Sequence, residues 1–106
     1  MQNLKIASVQ FEARDNDKDY NLSVIRRMCR RAADEGADVV AFHECSVCGY
    51  TFAKDLTRGE LADIAEFIPE GPSTQELISI ARQTGVTLLA GFFEKDEAGG
   101  LYKAHV

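Results

Sequence analysis

Six consecutive residues, His43-Glu44-Cys45-Ser46-Val47-Cys48, put an imidazole, a carboxylate and two thiols side by side. Metal binding is one chemistry open to such a set, since zinc deaminases hold their ion with His-x-Glu and a distant Pro-Cys-x-x-Cys around a catalytic glutamate. Here the spacing is compressed, with no residue between His43 and Glu44 and no gap before the cysteine pair. A structural zinc site also asks for four ligands, as a rule from two separated pairs, and the other histidine is the distant His105. Redox chemistry is a second reading, because Cys45-x-x-Cys48 follows a strand as thioredoxin-like motifs do. Those motifs open a helix, whereas Gly49-Tyr50-Thr51 signals a turn or loop. The third reading makes Glu44 a general base. A carboxylate held in a shielded crevice loses water and is driven towards proton uptake near neutral pH. Against it stands a glutamate that merely caps or salt-bridges near a loop, and these residues alone leave the two readings level.

The elements that position Glu44 follow from the patterning around it. Asp38-Val39-Val40-Ala41-Phe42 reads as a buried strand that ends just before Glu44, and ligands of open α/β sheets bind beyond the carboxyl ends of their strands. Upstream, Leu4 to Phe11 reads as a first strand whose polar Ser8 and Gln10 either face a site or bond loop backbone. Asp15 to Asp19 supplies helix caps. Val24, Met28 and Ala32 then run beside Ile25, Cys29 and Ala33 in an amphipathic helix closed by Gly36, with Cys29 packed in the core.

Downstream, Cys45 to Gly59 reads as a loop, with a short helix near Glu60 to Ala65. Ser73 and Glu76 form a capping-box pattern for a further helix that turns Leu77, Ile78, Ala81 and Thr84 inward and stops at Gly85. Val86 to Phe93 reads as a third buried strand, and Leu101 to Val106 as a fourth that pairs with it as a hairpin across a polar turn at 94–100. The order is βαβαββ. It stops without a closing helix, which suggests part of something longer.

The 106 residues, 45% hydrophobic and 27% charged, fit one compact globular unit. A net charge of -5 argues against general binding to nucleic acid or anionic membranes. The basic cluster Arg26, Arg27, Arg30 and Arg31 reads as a solvated helix face. No apolar run approaches the ~20 residues of a membrane span and the first residues lack the layout of a signal peptide, so a cytoplasmic protein with reduced thiols is expected.

Ile6-Ala7-Ser8-Val9-Gln10 with Asn21 in the first helix, Ala32 to Glu44 followed by Gly49-Tyr50, and Gly91-Phe92-Phe93-Glu94 followed by Leu101-Tyr102-Lys103-Ala104 together resemble the nitrilase superfamily, the carbon–nitrogen hydrolases. The resemblance implies an α/β fold, the βαβαββ half of a nitrilase-like four-layer α-β-β-α sandwich, with residues 1–106 as the amino-terminal part of a domain incomplete at its C-terminus. It further implies a Glu-Lys-Cys triad that cleaves nitrile, amide or carbamoyl carbon–nitrogen bonds through a thioester, with no metal or organic cofactor.

Only Glu44 carries over as catalytic, the general base. The family's lysine and cysteine follow the hairpin, so the chain as given is expected to be inactive. Lys103 stands where the family commonly has asparagine and is not the triad lysine. Cys45 adjoins Glu44 and so should point away from it. His43 replaces the usual proline, and Glu94 reads as a surface hairpin residue rather than a site residue.

The rival reading is a non-catalytic module for self-association or partner binding. Both sheet faces are apolar while two crossover helices cover one of them, so the chain is expected to pair with a second copy.

Overall fold

The computed structural model describes residues 3–49 and 56–106, and within them three short strands line up in parallel. In chain order the elements are β1 (Ile6–Val9), α1 (Lys18–Asp34), β2 (Val39–Phe42), α2 (Arg58–Ile64), α3 (Pro72–Thr84), β3 (Thr87–Leu89), β4 (Gly91–Lys95) and β5 (Leu101–His105). β2 lies between β1 and β3, with Val39 beside Ile6 and Thr87, and Ala41 beside Ser8 and Leu89. β4 and β5 form a separate antiparallel hairpin. The molecule is thus an α/β fold built on the parallel sheet β1-β2-β3 with flanking helices.

α1 begins where the Asp17 carboxylate accepts from the Tyr20 amide, and it ends at Glu35 before Gly36, whose φ of +86° favours a residue without a Cβ. Its apolar stripe buries Val24, Ile25, Cys29 and Ala32. α3 packs beside α1, and the two bury Val40 and Phe42 of the central strand together with Leu77 and Ile80. Burial of large apolar side chains such as these contributes ~1.5–3 kcal/mol each. The opposite face stays largely open, with Ile6 63% and Leu89 37% exposed beside half-buried Val39 and Ala41. Among the described residues no helix is long and apolar enough to cross a membrane.

Four expectations are corrected. The stretch read as one strand from Val86 to Phe93 is two strands, because β2 stops at Phe42 and the chain past Leu89 leaves the parallel sheet. Instead Ala90 exchanges backbone hydrogen bonds with Val106, of 3.0 and 2.8 Å, and leads into the hairpin. The first strand covers only Ile6–Val9. The capping box falls not at Ser73 but at Thr57 and Glu60, which cap α2, whereas α3 starts from Gly71 with Pro72 in its first turn. The inner face of α3 centres on Leu77 and Ile80, and Ile78 is 36% exposed. The loop reading for residues 50–55, with the Tyr50 turn, lies outside the described residues.

Candidate functional site

Beyond β2 the chain turns at once, and residues Glu44 to Cys48 form a compact turn closed by Ser46 N–H donating to the His43 carbonyl (3.2 Å) and Gly49 N–H to that of Cys45 (2.9 Å). Cys45 takes a φ of +53°, unusual for a residue with a side chain, and the surroundings that hold it there are extensive. Val47 N–H donates to the Gly91 carbonyl at 3.0 Å, and Asn16 N–H donates to the Cys48 carbonyl at 2.8 Å. Gly91 permits the close approach, since a Cβ there would lie 2.8 Å from the Cys45 nitrogen.

Asn21, wholly buried on α1, is the latch behind the turn. Its Nδ2 donates to the carbonyls of Val47 and Arg14, and its Oδ1 accepts from the Arg14 amide, each at 2.8 Å. One side chain thus ties the helix, the β1–α1 loop and the glutamate turn together.

Glu44 sits at the carboxyl end of the central strand, as expected, but not in a shielded crevice: its side chain is 60% exposed and pairs with Lys103, Nζ to Oε1 2.9 Å. The salt-bridged arrangement that the sequence left open is therefore the one present. Such an exposed pair is worth about 0–1 kcal/mol and rearranges easily. Lys103 lies on β5 opposite Phe93, and His105 lies opposite Gly91, so both share the strand face turned towards the Glu44 turn. Glu94 is opposite Tyr102 and one residue out of phase, which directs it away from that face. Ser8 and Gln10 are exposed on or beside β1.

His43 packs its ring edge-on against Phe11 at 5.1 Å. Burial holds its pKa below the usual value, partly offset by a hydrogen bond to the Val9 backbone, while Nδ1 has no hydrogen-bond partner among the described residues. The three cysteines are buried free thiols. The Cys48 thiol donates to the Gly49 carbonyl at 3.5 Å; the neighbouring Cys48 holds the pKa of Cys45 below the usual thiol value, against burial, and Cys45 together with burial raises that of Cys48. Cys29 is raised to about 11 by burial. Among the described residues, no group of three or more His, Cys, Asp or Glu side chains is placed to share an ion.

Sequence reasoning missed Glu66. Its carboxylate, 6% exposed, accepts from the Ser73 amide at 2.7 Å, from the Ser73 hydroxyl and from Lys18 Nζ at 2.6 Å. Glu66 therefore caps α3 from outside the helix, and no local motif marks it. The basic cluster behaves as a helix face: Arg26 reaches Glu76 and Gln83 on α3, and Arg27, Arg30 and Arg31 are exposed.

Residues 5–106 match the protein family described as Carbon-nitrogen hydrolase. A nitrilase of Pyrococcus abyssi is 39% identical over 93 residues, covering 88% of this chain and 34% of that protein. The omega-amidase NIT2 of Mus musculus is 33% identical over 104 residues, covering 96% and 34%. The chain thus spans about a third of the length of these relatives.

Among solved structures, an N-terminal amidase superposes with a TM-score of 0.75 at 21% identity, covering 96% of this chain and 24% of that one. An amidase from Nesterenkonia sp. gives 0.65 at 22%, covering 96% and 41%. At such identities the likeness is one of fold. The Nesterenkonia amidase has been solved, as a double mutant, in complex with acrylamide, and the N-terminal amidase with a Gln-Val peptide.

Proposed function

Because the chain belongs to the carbon–nitrogen hydrolase family, the nitrilase superfamily, we propose that it is the amino-terminal part of a hydrolase domain in which Glu44 is the general base. The substrates are small molecules with a nitrile, amide or carbamoyl carbon–nitrogen bond. In this reading Glu44 takes the proton of a cysteine thiol, the thiolate adds to the substrate carbon, and a lysine stabilises the tetrahedral intermediate before a thioester forms and water cleaves it. That lysine and cysteine belong to the roughly two thirds of the relatives' length that this chain does not match, so residues 1–106 alone turn nothing over.

The observation that carries the reading is the placement of Glu44. It stands at the carboxyl end of the central parallel strand, on a turn pinned from two sides by Asn21 and Gly91, with its carboxylate accessible. The weak pair with Lys103 leaves the carboxylate free to change partners when a thiol is presented.

The open face with Ile6 and Leu89 supports a second role, self-association of the chain, in which two copies bury those faces against each other. The test of the catalytic reading uses a version extended through the family's lysine and cysteine and follows ammonia release from small amides and nitriles. Glu44→Gln should cut turnover by about 10²–10⁴-fold, the usual contribution of a general base, with an unchanged circular dichroism spectrum. Retention of most activity would remove Glu44 from the mechanism.

A further inference from the structure

A general base works only if its carboxylate points one way, and the backbone of Glu44 does not by itself decide that. The turn fixes the main chain, but the side chain is long and exposed. Among the described residues it meets one ion-pair partner, Lys103, whose Nζ lies 2.9 Å from Oε1.

Lys103 does not reach in from a loose end. β5 runs in register with β4 from Leu101 beside Lys95 to His105 beside Gly91, with Lys103 beside Phe93 at the middle of the ladder, and Ala90 and Val106 extend it by two further backbone hydrogen bonds. The hydroxyl of neighbouring Tyr102 donates to Asp96 at 2.8 Å, across the hairpin turn. The hairpin is in turn fastened to the glutamate turn. Val47 N–H donates to the Gly91 carbonyl at 3.0 Å, and Gly91 N–H donates to Ser46 Oγ at 3.4 Å. Both ends of the ion pair are therefore carried by one hydrogen-bonded unit, and the fold sets the gap between them.

We infer that Lys103 is the positioning residue of the general base, holding Oε1 of Glu44 so that Oε2 takes the proton of the thiol. This rests on the general-base reading and adds to it a residue outside the triad of glutamate, lysine and cysteine. The thiol S–H bond breaks, its proton passes to Oε2 and the electron pair stays on sulfur, while the contact from Lys103 to Oε1 persists. The summed charge of the three groups is the same before and after. An exposed ion pair adds little to folding stability. What this one supplies is orientation: it removes the rotamers in which the carboxylate swings into water, and a reaction between held groups gains from that restriction.

The test uses the version extended through the family's lysine and cysteine. Lys103→Met keeps an unbranched stem and removes the ammonium; it should lower kcat about 10–100-fold with KM and thermal midpoint unchanged, as misplacing a reacting group does. Lys103→Arg should restore most of the loss. In a Glu44→Gln background Lys103→Met should change nothing further, because Lys103 acts through the carboxylate. In the 106-residue chain itself a carbodiimide should join Lys103 to Glu44 as an isopeptide, found by mass spectrometry and absent from Glu44→Gln. Parental kcat in Lys103→Met where Glu44→Gln is inactive overturns the proposal and leaves the base in place. A further fall on top of Glu44→Gln, or a missing cross-link, overturns it too. Most activity retained in Glu44→Gln removes the base itself, and the role of Lys103 with it.

Discussion

Replacing Asn21 by alanine removes three hydrogen bonds at once, two to Arg14 and one to the Val47 carbonyl. The Arg14 groups belong to an exposed residue and can turn to water, but Val47 is wholly buried and its carbonyl is left dry. A lost intramolecular hydrogen bond costs ~0.5–1.5 kcal/mol net, and a buried group left without a partner ~1–3 kcal/mol. Weighting the buried bond most gives a loss of roughly 2–4 kcal/mol, a large fraction of the ~5–15 kcal/mol that holds a typical domain together. Urea unfolding reads this as a midpoint lower by about 1–3 M at unchanged slope. Amide exchange should accelerate at Val47 and Gly49, whose bonds to Gly91 and Cys45 close the turn. Asn21→Asp sharpens the test: a carboxylate still accepts from the Arg14 amide but cannot donate to two carbonyls, so it should be at least as damaging as alanine. An alanine variant within about 0.5 kcal/mol of the parent, or an aspartate variant of parental stability, would refute the assignment of Asn21 as the latch.

Glu66 gives the chain an acid-sensitive fastening. Burial alone would raise its pKa, yet hydrogen bonds from Lys18 and Ser73 outweigh burial and hold it below 4.5. A carboxylate depressed in the folded state stabilises above its unfolded value and loses that contribution as pH falls through the folded one. Urea midpoints taken across that range should therefore drop on the acid side, and Lys18→Met should move the drop to higher pH; an unmoved acid limb would show that Lys18 does not hold Glu66 ionised. One-sided removal of a buried ion pair costs ~3–5 kcal/mol, lessened here because Lys18 is 24% exposed. The open sheet face predicts a second copy. Sedimentation at micromolar concentration should find dimers, and Ile6→Lys with Leu89→Lys should give monomers, whereas a parental monomer that binds no hydrophobic dye counts against pairing through this face.

Much of the scaffold is written locally. Asp17 and Gly36 mark the ends of α1, the stripe from Val24 to Ala32 sets its buried side, and Gly85, with a φ of +76°, closes α3. Caps and the helical period act over a few residues, so a short window carries them. The hairpin and the strand leading to Glu44 were legible for the same reason, and the family followed from the order of the motifs.

What the sequence could not fix depends on partners far along the chain. Val86 to Phe93 has the apolar pattern of one strand, but the early turn of β2 leaves its second half without a place in the parallel sheet and hands it to β5. Ser73 has a capping-box partner three residues on, yet Glu66 reaches it first because the loop before α3 folds back against β4. The Glu44 carboxylate meets a lysine 59 positions away, and Asn21 finds the Val47 carbonyl across 26. Hydrogen bonds and ion pairs are satisfied by whatever the completed packing brings within reach. A residue's type and its near neighbours therefore determine where the chain bends and which side is apolar, while the identity of its polar partners waits for the tertiary structure.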